Sequence, residues 1–193
     1  MVYKRGKTGT TERTLMNNRL PRRPALPGFT LIEVLVVVAI MGILMAVTYP
    51  SILNTLAVRN LENQTRQIQT YLQITKLEAV DTKVDHRVRF YRADEGYWVY
   101  EMERMQPDGT WLRVPGPPRK TISPRLNVTL NLPLDGSDPV VVFSPVGAIV
   151  SFSANLNTVV IQSPKLLAGG QMDERVISLF MGGSIHYAKR KSV

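Results

Sequence analysis

The chain has no cysteine, and only two histidines and two tryptophans among its 193 residues. Without cysteine there are no disulfides, no thiolate nucleophile, and no cysteine-ligated zinc or iron–sulfur site. The compartment stays open, because exported proteins also manage without cysteine. The two histidines, His86 and His186, fall on separate predicted strands, where a surface or strand-edge position accounts for each. No Walker loop, G-x-S-x-G elbow or H-E-x-x-H pattern is present. Asp81, Asp85, Asp94 and Glu95 lie at a helix end and in a turn, where solvated charge is the default. The sequence therefore assigns no catalytic residue, no metal ligand and no cofactor, and a non-enzymatic role is expected.

Charge of one sign is also scarce where the chain is most apolar. Phe29–Pro50 reads FTLIEVLVVVAIMGILMAVTYP, with Glu33 its only charge. As a helix these 22 residues would reach about 33 Å at 1.5 Å per residue, against a bilayer core of about 30 Å. The formal net charge is +9. Residues 1–28 hold seven bases (Lys4, Arg5, Lys7, Arg13, Arg19, Arg22, Arg23) and one acid (Glu12), a net of 7 − 1 = +6. Two thirds of the excess thus precedes the apolar run. By the positive-inside rule the N-terminus stays in the cytoplasm and the rest faces the periplasm or exterior. A secretory signal peptide fits poorly, since its apolar region is shorter and a small-residue cleavage site should follow it. On hydropathy alone the run reads as an ordinary signal anchor, with Tyr49 at the far membrane interface.

Pro27-Gly28-Phe29-Thr30-Leu31-Ile32-Glu33 closely resembles the processing motif of type IV prepilins. The resemblance implies cleavage by prepilin peptidase between Gly28 and Phe29, and N-methylation of Phe29 by the same enzyme. The mature chain then has 193 − 28 = 165 residues, and Glu33 is its fifth. Glycine before the scissile bond suits a protease site, since it offers a bare, flexible backbone. A carboxylate in the membrane costs about 3 kcal/mol at the centre and less near an end, so Glu33 needs a partner or a route to water. In the family this residue meets the N-terminal amine of a neighbouring subunit; snorkelling to the interface is the alternative. Pro50 matches the family's proline that kinks the first helix, and Gly42–Pro50 is the stretch expected to unwind in a filament. Met16 offers a second start and a shorter leader, Met16–Gly28.

Beyond Pro50 the pattern turns amphipathic. Leu53, Leu56, Ala57, Leu61, Ile68, Leu72 and Ala79 recur at helical spacing, which predicts a helix continuing to about Thr82. Strands are expected at His86–Arg92, Tyr97–Glu103, Trp111–Val114, Asn127–Leu130, Val140–Phe143, Ala148–Phe152, Thr158–Gln162, Val176–Phe180 and Ser184–Ala188. Gln106-Pro107-Asp108-Gly109 is a turn signal, and Pro115–Pro118 a loop. One helix followed only by short strands predicts an α+β fold: a long N-terminal helix, membrane-spanning in its first half, packed on antiparallel sheet. The expected organisation is 1–28 as a cleaved leader, 29–50 as the transmembrane or filament-core helix, and 51–193 as amphipathic helix plus β-rich domain.

The C-terminal half is similar to the pseudopilin H and minor pilin T group, through Phe143-Ser144-Pro145-Val146-Gly147 and the hairpin Ile177–Gly183. The resemblance implies a minor pilin or pseudopilin of a type IV pilus or type II secretion pseudopilus. It would be held in the bacterial inner membrane by a single pass, with its C-terminal domain in the periplasm, and other pilin or pseudopilin subunits as partners. Some relatives bind DNA and support its uptake in transformation. Lys189, Arg190 and Lys191, aided by Arg87, Arg89 and Arg92, are the candidate DNA contacts, although the group's own basic arrangement is absent. The aromatics Tyr97, Trp98, Tyr100 and Trp111 read as packing rather than a binding face. Two glycosylation sequons, at Asn63 and Asn127, read as chance.

Overall fold

The computed structural model describes residues 28–150 and 152–192, apart from the side chains of Val47, Pro50 and Ser51. The expected leader, 1–28, therefore lies outside the described residues except for Gly28. The chain divides into two units, Met1–Ile43 and Leu44–Val193. Helix α1, Leu31–Thr82, contributes to both.

In the first unit the described side chains are exposed and almost all apolar. Among the described residues no helix is long and apolar enough to cross a membrane. The apolar side chains described without a gap end at Ala46, so the stretch from Leu31 is about 24 Å long, short of a bilayer core. The crossing expected over Phe29–Pro50 thus depends in part on Val47 and Pro50, whose side chains are outside the described residues, as is the expected kink contributed by the Pro50 ring.

In the second unit α1 is amphipathic for a visible reason. Leu61, Thr65, Ile68, Leu72, Thr75 and Ala79 are all fully buried and follow one another at steps of three and four, the period of one helical face. Burying a side chain such as Ile68 or Leu72 contributes about 2 kcal/mol. The two threonines are tolerated in this apolar stripe because each hydroxyl donates to the carbonyl four residues back: Thr65 to Leu61 at 2.8 Å, Thr75 to Tyr71 at 2.9 Å. Leu56 departs from expectation and is 55% exposed. The helix stops at Thr82, as expected, and Lys83 turns the chain with φ +58°.

Among the described residues ten strands follow: β1 His86–Arg92, β2 Trp98–Met105, β3 Trp111–Arg113, β4 Lys120–Thr121, β5 Asn127–Asn131, β6 Leu134–Asp135, β7 Asp138–Phe143, β8 Thr158–Gln162, β9 Glu174–Leu179 and β10 Ile185–Arg190. A short helix α2, Pro164–Ala168, lies between β8 and β9. All pairings are antiparallel, in two sheets: β3-β2-β1-β7-β6 with β4 also on β2, and β10-β9-β8-β5. The fold is α+β, as the pattern predicts. The strand expected at Ala148–Phe152 is only a bridge from Ile149 to Phe143.

One core serves helix and both sheets. Val88, Phe90, Tyr100, Met102 and Phe143 come from the first sheet, and Val159, Ile161, Ile177 and Leu179 from the second. Tyr71 of α1 meets Tyr100 edge-on at 5.0 Å between ring centres. The expected aromatic cluster is thereby split: Tyr100 is buried, while Trp98 and Trp111 are half-buried beneath Arg92 and Arg87.

Candidate functional site

The start of α1 is built by two side chains. The Glu33 backbone N–H donates to the Thr30 hydroxyl at 3.2 Å, and the Thr30 N–H donates to the Glu33 carboxylate at 3.4 Å. This reciprocal pair is a capping box: the helix leaves its first N–H groups without partners, and Thr30 and Glu33 supply two acceptors. The Thr-x-x-Glu spacing was present in the sequence and carried this signal. A negative side chain in the first turn also opposes the positive end of the helix dipole. Glu33 is exposed and keeps further acceptor capacity. Phe29 is 83% exposed, and Gly28 has nothing within 4 Å of where a side chain would begin. The Gly28–Phe29 bond is thus open on every described side, immediately ahead of a capped helix.

The two C-terminal motifs expected from resemblance converge on one spot of α1. Gly147 closes the turn after Phe143, and Gly183 closes the β9–β10 turn. Both have positive φ, +78° and +74°. The Lys76 ammonium donates to the Gly183 carbonyl at 3.0 Å, and its side chain covers Gly147. The Phe-x-Pro-x-Gly turn thus packs against α1 at Lys76 and Val80.

The bases proposed for DNA are placed less freely than their sequence suggests. Lys189 and Arg190 belong to β10, not to a loose tail. Lys189 pairs with Glu62 of α1, and Arg190 donates to Glu174 at 2.8 Å. The next residues are held too: Ser192 donates to Asp173 from its N–H at 3.0 Å and its hydroxyl at 2.8 Å. Gln162 adds a third bond to Asp173 at 2.8 Å. Burial pushes the Asp173 carboxyl up, but the Ser192 and Gln162 donors outweigh it and bring it down to about 2. Glu62 is also held below its ordinary value, first by the Lys189 hydrogen bond and with burial opposing. Arg175, 2% exposed, lies under the same Glu62 and donates to the Met172 and Glu174 carbonyls.

Arg87 and Arg89 stand in an ion ladder on the outer face of the first sheet. Arg87 donates to Glu103 at 2.6 Å and also pairs with Asp135. Arg89 reaches Glu103 at 3.2 Å and Asp138 at 2.8 Å. Arg113 and Arg119 lie against Glu101. The register places Arg87 opposite Glu103 and Arg89 opposite Glu101, so opposite charges face each other across the strands. Four arginines meet four acids, and Arg87, Glu101 and Glu103 are buried in the process. Arg92 stacks on Trp98, 4.8 Å from the ring centre.

The histidines do not converge. His86 is buried with its ring nitrogen 2.9 Å from the Val84 carbonyl, while His186 packs on Phe180 in the other sheet. Among the described residues no cluster of three or more His, Asp or Glu side chains is placed to hold a metal.

Residues 27–49 match the prokaryotic N-terminal methylation motif. The match is confined to the N-terminal part of the chain. The match covers Gly28, Phe29 and Glu33. Among solved structures, two that are similar to part of the chain are as follows. One is the minor pseudopilin EpsH of the type 2 secretion system of Vibrio cholerae, at TM-score 0.49 and 12% identity, covering 67% of this chain and 97% of that one. The other is the type IV minor pilin FimU of Pseudomonas aeruginosa, at TM-score 0.47 and 16% identity, covering 67% of this chain and 89% of that one. No curated protein matches the sequence.

Proposed function

We propose that this protein is a structural subunit of an extracytoplasmic filament, a minor pilin of a type IV pilus or a minor pseudopilin of a type II secretion system. The methylation motif over residues 27–49 carries the reading. The exposed Gly28–Phe29 bond ahead of a capped apolar helix supports it. Prepilin peptidase cuts between Gly28 and Phe29 and methylates the new N-terminus. The mature chain stays in the inner membrane through the apolar start of α1, with Leu44–Val193 carrying the periplasmic domain. Other pilin or pseudopilin subunits are its partners, and Glu33 meets the N-terminal amine of one of them.

The test is mass spectrometry of the protein from cells with active prepilin peptidase. The expected N-terminus is methylated Phe29, and Gly28→Arg should retain the leader. A wild-type protein that keeps residues 1–28 in such cells would overturn the reading.

A further inference from the structure

Within Leu44–Val193 one side of α1 is left uncovered. Met45, Tyr49, Ile52 and Leu56 are each more than half exposed, and their steps of four, three and four place them on one helical face. The stripe is about 16 Å long. At its end Leu56 forms one wall of an open groove of about 350 Å³, which Leu53, Ala57 and Leu126 also line, with Arg125 and Lys165 at its edge. No acid among the described residues lines this groove. Neither base has an ion-pair partner among the described residues: Lys165 donates only to the Leu53 carbonyl at 3.2 Å, and only the Arg125 backbone N–H is engaged. These bases therefore differ from Lys189, Arg190, Arg87 and Arg89, whose charges are all matched.

We propose that this groove seats the headgroup phosphate of an anionic phospholipid, whose acyl chains lie along the Met45–Tyr49–Ile52–Leu56 stripe. The proposal rests on the membrane anchoring put forward above. Charge decides the occupant: an uncovered apolar stripe that ends at two unmatched bases complements a molecule that is apolar along its length and anionic at its head. A protein helix would match the stripe but not the bases, and free phosphate would match the bases but not the stripe. Long basic side chains beside an apolar helix lay their stems on it and present their heads at the membrane surface. Tyr49 has the amphipathic ring that membrane interfaces favour. The lipid would hold the domain at a fixed height above the bilayer until the subunit is drawn into a filament.

The experiment uses the full chain purified in mild detergent. Native mass spectrometry counts bound phosphatidylglycerol against phosphatidylcholine, each added at the same mole fraction. Wild type should retain phosphatidylglycerol in preference to phosphatidylcholine. One base near an anionic surface is worth about fivefold in binding, so Arg125→Gln with Lys165→Gln should cut that preference by about 25-fold. Arg125→Lys should keep it. Melting curves confirm that each variant is folded; should the double variant not fold, Arg125→Gln alone is read for its fivefold share. Equal retention of the two lipids by wild type, or an undiminished preference in the folded variants, would overturn the proposal. So would displacement of phosphatidylglycerol by millimolar inorganic phosphate, which would mark a free-anion site. Fractionation separates the two readings. A chain absent from membranes refutes anchoring; a chain in membranes without the lipid preference refutes this inference alone.

Discussion

The carbonyl oxygen of Gly147 lies 1.8 Å from where a Cβ on Gly183 would stand. No side chain fits there without moving the opposing turn, and the φ of +74° at Gly183 is itself one that other residues rarely adopt. Gly183→Ala combines strain with overpacking, so it should destabilise the domain by about 3 kcal/mol. Gly170 is the control. It has a similar φ of +66° but open space around it, so Gly170→Ala should cost about 1 kcal/mol. Denaturant midpoints of the two variants give the comparison. Equal losses would mean that the contact between the two turns does not constrain the fold.

Glu33 has two jobs that a single substitution confounds. It caps α1 through Thr30, and the proposed function gives its charge to a neighbouring subunit's amine. Glu33→Val removes the charge and the acceptor for the Thr30 N–H, while the backbone N–H at position 33 still donates to the Thr30 hydroxyl. Glu33→Gln removes the charge but keeps an oxygen for the Thr30 N–H. Both variants should be inserted and cleaved normally, and both should enter filaments poorly beside wild type. Full incorporation of Glu33→Gln, with Glu33→Val excluded, would assign the effect to the helix cap instead.

Acid should destabilise the domain through Asp173. Its folded value of about 2 lies below the ordinary 3.8, so the ionised form is favoured by folding. That stability is present above about pH 4 and is lost as pH falls toward 2. Glu62 acts in the same direction. Melting temperature should therefore be flat from neutral pH to about pH 5 and then drop. Asp173→Asn should melt lower at pH 7 and lose part of the acid-induced drop. An unchanged difference between variant and wild type from pH 7 to pH 2 would show that the Ser192 and Gln162 bonds do not favour the charged form.

Legibility followed sequence distance. β1 was expected at its observed bounds because His86–Arg92 alternates, and the α1 end at Thr82 followed from a stripe of near-constant period. β4 and β6, two residues each, are too short to leave a pattern. The division into two sheets was hidden because it rests on distant pairings, such as β1 with β7 and β5 with β8. The ion ladder was hidden for the same reason: Arg87 and Arg89 look like free bases until β6 and β7 bring Asp135 and Asp138 to them. At the candidate site the motif from Gly28 to Glu33 was visible as local sequence. The meeting of Gly147 with Gly183 was not, because the two turns are joined only through the fold.

The pairing of the C-terminal bases sets a condition on any DNA contact. Of the tail, Lys189 and Arg190 already face Glu62 and Glu174, and an ion pair must open before either base reaches a phosphate. Lys191 is exposed and has no ion-pair partner among the described residues. Each neutralised phosphate contributes about 0.9 to the slope of log affinity against log salt. If the tail binds duplex DNA, Lys191→Ala should lower that slope by about 0.9, while Arg190→Ala should leave it nearly unchanged. Fluorescence anisotropy of the full chain in detergent, titrated with duplex DNA at several salt concentrations, measures both. A slope that falls equally with either variant would show that the Arg190–Glu174 pair opens on binding. A slope that neither variant changes would place any DNA contact away from the C-terminal strand.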